Sequence, residues 1–167
     1  SLVHDDLPCM DDDMIRRGKA STWAEYGEDI GVLAGDALMM YAFETASKAF
    51  DAAEDADALL RAGKAMGILA AKTGVYGMIG GQTVDVELAG GPVPKDKLDF
   101  IYRLKTGALL QAAMLIGAVL GGAADEDCKI VEDLAGKVGL AFQIQDDILD
   151  VTGDASVTGK AAGSDEK

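Results

Sequence analysis

The sequence predicts an all-α protein. Three observations predict it: apolar residues recur at helical spacing over most of the chain, only three prolines occur in 167 residues, and no stretch alternates apolar with polar residues long enough to make a strand. The 21 glycines are scattered through apolar runs and not gathered into linkers, and aromatic residues are only 5%. With 49% hydrophobic residues the chain has the material for an ordinary core, which predicts one domain over residues 1–167 and excludes a disordered chain.

The elements follow in order. Residues 31–50 carry Val32, Leu33, Ala37, Leu38, Met40, Tyr41 and Ala42, enough apolar positions for a helix buried on more than one side. Residues 53–71 are more amphipathic, setting Leu59, Leu60, Met66, Ile68 and Leu69 against Asp55, Asp57, Arg61 and Lys64. Residues 75–88 keep the helical period but are interrupted by glycine. Gly90-Gly91-Pro92-Val93-Pro94 is a loop, because prolines and glycines together end a helix. A helical run opens at Lys95 and continues past Leu110. Asp125-Glu126-Asp127 marks the next connection, and the period resumes over residues 129–151.

Residues 106–124 contain only Thr106 and Gln111 as polar side chains, which approaches the roughly 18–20 residues that span a bilayer. Much of that run is Ala and Gly, Lys105 and Asp125 flank it, and no aromatic belt frames it. A core helix packed on all sides is the reading it favours, and no membrane span is expected.

Acidic residues outnumber basic ones 29 to 15, a formal charge of −14. Such a chain repels phosphate backbones, which excludes nucleic acid as a first expectation, and any anionic ligand requires cations recruited to its site. Two cysteines, Cys9 and Cys128, make no disulfide framework and read as plain thiols. Nothing at the N-terminus reads as a signal peptide, so a cytoplasmic location is expected.

Chemistry concentrates in two acidic segments. In Phe142-Gln143-Ile144-Gln145-Asp146-Asp147-Ile148-Leu149-Asp150, Asp146 and Asp150 share a helix face, with Gln143 one turn earlier. Two carboxylates about 4 Å apart repel by roughly 4 kcal/mol at an effective dielectric of 20. The neighbours Leu140, Ala141, Phe142, Ile144, Ile148 and Leu149 are apolar, which predicts a largely buried helix and a cation between the acids. Oxygen donors without His or Cys favour Mg²⁺ or a similar ion, completed by phosphate oxygens and water.

The other segment is His4-Asp5-Asp6-Leu7-Pro8-Cys9-Met10-Asp11-Asp12-Asp13, followed by Arg16-Arg17. Pro8 biases Leu7 away from helical geometry, and a bulged turn there brings Asp11 back beside Asp5, which a straight helix would rotate away. Arginine's planar fork suits phosphate, so acids beside an arginine pair point to a metal-bridged diphosphate. Taken alone, Asp11-Asp12-Asp13 is a solvated loop or a helix cap. An EF-hand is excluded because its glycine and terminal glutamate are missing from their positions. Two acidic segments embedded in apolar sequence, with arginines beside one, outweigh the solvated reading.

Together these residues resemble the trans-isoprenyl diphosphate synthases, the polyprenyl synthetase family. Asp5-Asp6-x4-Asp11 with Arg16-Arg17 is similar to their first aspartate-rich motif and Asp146-Asp147-x2-Asp150 to their second. Gly81-Gln82-x2-Asp85, Lys105-Thr106-Gly107, Phe142-Gln143 and Gly159-Lys160-x2-Gly163-x-Asp165 match in order from one end to the other. Either Asp-Asp pair alone is weak; the ordered set is specific.

The resemblance implies an all-α bundle of the isoprenoid synthase type around a central apolar cavity, with the two motifs facing each other across its mouth, and a homodimer. It implies an Mg²⁺-dependent prenyltransferase of the short-chain farnesyl or geranylgeranyl diphosphate synthase type, condensing isopentenyl diphosphate with dimethylallyl or geranyl diphosphate. Asp5, Asp11 and Asp146 are then the principal ligands of three Mg²⁺ ions, with Asp6 and Asp150 as supporting, partly water-mediated partners and Asp85 in the outer shell. Arg16, Lys105, Gln143 and Lys160 contact the allylic diphosphate and Arg17 the isopentenyl diphosphate, while Gln82 and Thr106 lie near the reacting carbons. Without the resemblance, Lys105-Thr106 is a helix-end charge and a cap, Gln82 and Asp85 a helical pair, and Lys160 a solvated tail residue. His4 is read as structural, since one histidine makes no zinc site.

The first motif begins at residue 5, whereas in the resembling enzymes it lies well inside the chain. The expectation is a fragment lacking N- and C-terminal helices. The residue five before the first aspartate, which helps set product length in those enzymes, would precede Ser1. The small Ser1 and the Pro8-Cys9 insertion favour a farnesyl product, with geranylgeranyl next. The alternatives are a non-catalytic partner subunit and a terpene cyclase of the same architecture.

Overall fold

The computed structural model describes residues 1–152, with Asp150 and Val151 described in backbone only. Helices α1 (Leu2–Asp5), α2 (Thr22–Tyr26), α3 (Glu28–Asp51), α4 (Ala56–Thr73), α5 (Met78–Leu88), α6 (Lys95–Ile101), α7 (Gly107–Leu120) and α8 (Asp125–Thr152) make up almost all the regular structure, and the protein is all-α. The additions are a two-residue hairpin, β1 (Ile15–Arg16) with β2 (Lys19–Ala20), and a π-helical turn at Tyr102–Thr106 between α6 and α7. The hairpin is too short to leave an alternating pattern in the sequence. The described residues divide into two compact units, one of Ser1–Ala46 with the end of α8 from Ile148, the other Ser47–Asp147.

In the first unit, α1 is capped by the Ser1 side chain, which accepts from the His4 N–H. His4 then reaches α3: its Nε2 lies 3.0 Å from the Val32 carbonyl and 3.5 Å from Asp36 Oδ1. That approach requires Gly35, because a Cβ there would run into the imidazole ring. Leu7 is buried, and the Trp23 indole N–H donates to the Asp13 carbonyl at 2.9 Å, tying α2 to the acidic loop. The structural reading of His4 therefore has a concrete form.

In the second unit α4 packs along α7. The buried residues on these helices are Ala62 and Ala65 on α4, and Ala108, Ala112, Leu115 and Val119 on α7, the latter spaced four, three and four residues apart as one helical stripe. Lys72 joins three helices, donating to Gln111 Oε1 at 2.9 Å and to Glu132 Oε1 at 2.7 Å. α5 seats against the π turn at Gly81, where a Cβ would lie 2.8 Å from the Leu104 Cβ and meet the Lys105 backbone nitrogen.

Three sequence expectations change. Asp125-Glu126-Asp127 is the first turn of α8 and not a connection, because acids favour a helix N-terminus. α8 is not largely buried: Leu140, Phe142, Ile144, Ile148 and Leu149 are all exposed, and the buried stripe runs through Ala135 and Gly139. Likewise α7 buries one stripe and leaves Leu109 and Leu120 exposed. Apolar composition marks a face that can be covered; among the described residues full burial on α7 and α8 is confined to one stripe of each helix. Lys95–Leu120 is one helical stretch long and apolar enough, by length and composition, to cross a membrane. Its middle carries Arg103 and Lys105, and its buried stripe faces α4.

Candidate functional site

The first unit builds its acidic loop from backbone bonds. After α1 the Asp11 N–H donates to the Asp5 carbonyl at 2.9 Å, the Asp13 N–H to the Asp6 carbonyl at 3.1 Å, and both Met10 and Asp12 N–H groups to the Leu7 carbonyl. In a continuing helix the Asp5 carbonyl would take its bond four residues on. Leu7-Pro8 adds a bulge, and the chain returns through Asp12 at φ 53°, a left-handed conformation that aspartate tolerates. Asp5 and Asp11 thus stand on neighbouring backbone, Asp5 half-buried and Asp11 exposed. This is the bulged turn the Pro8 position predicts.

Asp6 points elsewhere. Its side chain is 3% exposed and holds Arg16, whose Nε and Nη2 both lie 2.5 Å from Oδ1. Arg16 also lies 3.8 Å from Asp13 Oδ2. The hairpin makes this pairing: Arg17 at φ 53° and Gly18 at φ 75° form a two-residue turn with both central residues left-handed, the geometry that matches strand twist. Arg16 turns inward to Asp6 while Arg17, at the turn, is exposed.

The second unit gathers its polar groups around the π turn, closed by the Gly107 N–H donating to the Tyr102 carbonyl. Such turns insert a residue into a helix and recur at functional sites. Lys105 faces α5, its Nζ 2.6 Å from Asp85 Oδ2, with both side chains about a third exposed. Thr106 and Tyr102 face α8. The Thr106 hydroxyl donates to Gln143 Oε1 at 2.7 Å, Gln143 Nε2 donates to Asp147 Oδ1 at 3.0 Å, and the Tyr102 hydroxyl donates to Asp147 Oδ2. On α5, Gln82 Nε2 is buried with no hydrogen-bond partner among the described residues.

The structure therefore brings Asp5 to Asp11, Asp6 to Arg16, Asp85 to Lys105, and Thr106 to Gln143. Asp146 is exposed on α8. The Asp150 side chain and Lys160 lie outside the described residues. Sequence reasoning missed Asp147 and Tyr102; the i,i+4 spacing of Gln143 and Asp147 was the available signal. Among the described residues, no three His, Cys, Asp or Glu side chains come close enough to hold a metal ion by themselves. Hard oxygen donors in ones and twos fit Mg²⁺, which keeps water and takes phosphate oxygens to complete its shell.

The described residues thus make an all-α fold carrying two acidic segments, one beside an arginine pair and the other bonded to Tyr102 and Thr106 of the π turn. The chain belongs to the polyprenyl synthetase family, whose model matches residues 1–167. It is 44% identical over 168 residues to the heterodimeric geranylgeranyl pyrophosphate synthase large subunit 1, chloroplastic, of Arabidopsis thaliana, covering 99% of this chain and 45% of that protein. It is 43% identical over 169 residues to the farnesyl diphosphate synthase of Escherichia coli (strain K12), covering 100% of this chain and 55% of that one. Its fold matches a geranyltransferase from Helicobacter pylori, solved in complex with magnesium and isoprenyl diphosphate, at TM-score 0.87 and 38% identity over 98% of this chain and 53% of that chain. The chain spans about half the length of these relatives.

Proposed function

We propose that this chain is the part of a trans-prenyltransferase, one domain over residues 1–167, that ionises an allylic diphosphate and joins it head-to-tail to isopentenyl diphosphate, giving farnesyl diphosphate or, next, geranylgeranyl diphosphate. The observation that carries the proposal is the backbone bond from Asp11 to Asp5, which makes neighbours of two acids six residues apart. A solvated acidic loop has no need of that bulge.

Asp5, Asp11 and Asp146 are the proposed principal ligands of three Mg²⁺ ions, with Asp6, Asp150 and Asp85 in supporting positions. When bound, the ions supply Lewis acidity that neutralises the departing diphosphate. The residues of this chain do the rest. Arg16, kept in place by buried Asp6, and Lys105 offer charge to the allylic diphosphate, and Gln143 and Lys160 offer further donors. Lys105 meets the diphosphate by sharing or exchanging Asp85. The allylic C–O bond breaks with its electron pair on diphosphate, the isopentenyl double bond attacks the cation, and the lost proton goes to diphosphate. Oxygens of Thr106 and Gln143 face positive charge without attacking it, with Gln82 nearby, and Arg17 holds isopentenyl diphosphate. In the first unit, Val3, Ala34, Ala37, Leu38 and Tyr41 line an apolar trough of about 680 Å³, a wall suited to a hydrocarbon tail.

Complete acids in both motifs support turnover over a silent partner subunit, and the arginine pair supports a two-substrate enzyme over a cyclase. A cytoplasmic homodimer without a membrane span is part of the same proposal. The test is isopentenyl transfer by the full-length protein with dimethylallyl or geranyl diphosphate. Mg²⁺-dependent C15 or C20 product is expected. Hydrocarbon or alcohol formed from geranyl diphosphate alone makes it a cyclase, and no product at all makes it a partner subunit.

A further inference from the structure

We infer that Tyr102 and Asp147 are positioning residues that set the amide orientation of Gln143 and, through it, the direction of the Thr106 hydroxyl. The four side chains form one line of hydrogen bonds: the Tyr102 hydroxyl donates to Asp147 Oδ2, Gln143 Nε2 donates to Asp147 Oδ1 at 3.0 Å, and the Thr106 hydroxyl donates to Gln143 Oε1 at 2.7 Å. An ionised carboxylate only accepts, so the end of the Gln143 amide facing Asp147 has to be the NH₂. That turns Oε1 toward Thr106. Because Oε1 also only accepts, the single Thr106 hydroxyl hydrogen is committed to Gln143, and the lone pairs of Oγ1 point away from it. Tyr102 and Thr106, four residues apart in the π turn, both bond to residues of α8, while the adjacent Lys105 bonds to Asp85 on α5.

The consequence rests on the proposed prenyl transfer. An oxygen presenting lone pairs stabilises a developing allylic cation; the same hydroxyl presenting its hydrogen destabilises it. Asp147, central in the second acidic motif, already has a donor on each oxygen, whereas its neighbour Asp146 is exposed. Asp147 therefore acts through Gln143 and not as a metal ligand.

The experiment uses the full-length protein and its Tyr102→Phe and Asp147→Asn variants. The side-chain NH₂ resonances of Gln143, assigned by their loss in Gln143→Leu, are followed by ¹⁵N NMR with no substrate present. Asp147→Asn is expected to raise their solvent exchange about tenfold and to shift them, since a carboxylate acceptor is replaced by a neutral amide. In steady-state assays kcat falls about 10–100-fold, while both substrate KM values and the Mg²⁺ half-saturation stay within about twofold. Tyr102→Phe moves both readouts the same way by less, and the double variant is no worse than Asp147→Asn alone. Unchanged Gln143 resonances in both variants overturn the inference, and so does a raised Mg²⁺ half-saturation in Asp147→Asn. A parent protein without isopentenyl transfer removes the proposed reaction instead, and the NMR comparison still decides the hydrogen-bonded line.

Discussion

Arg16 closes on Asp6 with two nitrogens, Nε and Nη2, each 2.5 Å from the same carboxylate oxygen of a side chain that is 3% exposed. The pair joins the acidic loop to the hairpin. An arginine read from sequence as a diphosphate ligand is thus also held by the loop's own buried acid.

Breaking that pair strands a charge. Arg16→Ala leaves Asp6 buried without its guanidinium, and Asp6→Ala frees Arg16 from the loop. Arg16→Ala is expected to lower stability by about 3–5 kcal/mol and Asp6→Ala by less, since the freed guanidinium is partly exposed and keeps Asp13, both read from urea unfolding of the full-length protein. A loss under about 1 kcal/mol in both variants removes the anchoring role.

Asp5 and Asp11 are expected to behave differently, since neither side chain is fully buried. Asp5→Ala or Asp11→Ala lowers kcat by several orders of magnitude while far-ultraviolet circular dichroism keeps its helical signal. Chelation by EDTA does the same, and added Mg²⁺ restores turnover. Parent-like activity in either variant ends the metal-ligand assignment.

Lys105 sits 2.6 Å from Asp85 and is about a third exposed. Lys105→Ala removes the cation proposed to meet the allylic diphosphate, and its allylic KM is expected to rise about tenfold or more. An unchanged allylic KM confines Lys105 to its ion pair with Asp85.

Gly35 faces the His4 ring at a separation no side chain can occupy. Gly35→Ala pushes His4 off the Val32 carbonyl and is expected to cost about 1–3 kcal/mol, seen as a lower Tm. Gly63→Ala, on α4 with open space around it, is the control and is expected to hold or raise the Tm.

Helical period, scarce proline and the Gly90-to-Pro94 loop determined the all-α class and placed four long helices near their observed ranges, because those signals are local. The acidic motifs and the ordered matches between them determined the family for the same reason: residue types at set spacings can be read without knowing what they touch. Pro8 even announced the bulge that returns Asp11 to Asp5. Tertiary structure alone decided the partners. Whether Asp6 meets Arg16 depends on a hairpin turning at Arg17-Gly18, and Lys105 and Thr106 meet Asp85 and Gln143 only because α5 and α8 pack on either side of the turn that carries them. Burial was decided there too, since an apolar face on α7 or α8 reports what it can cover, and only a packed neighbour determines which residues it does cover.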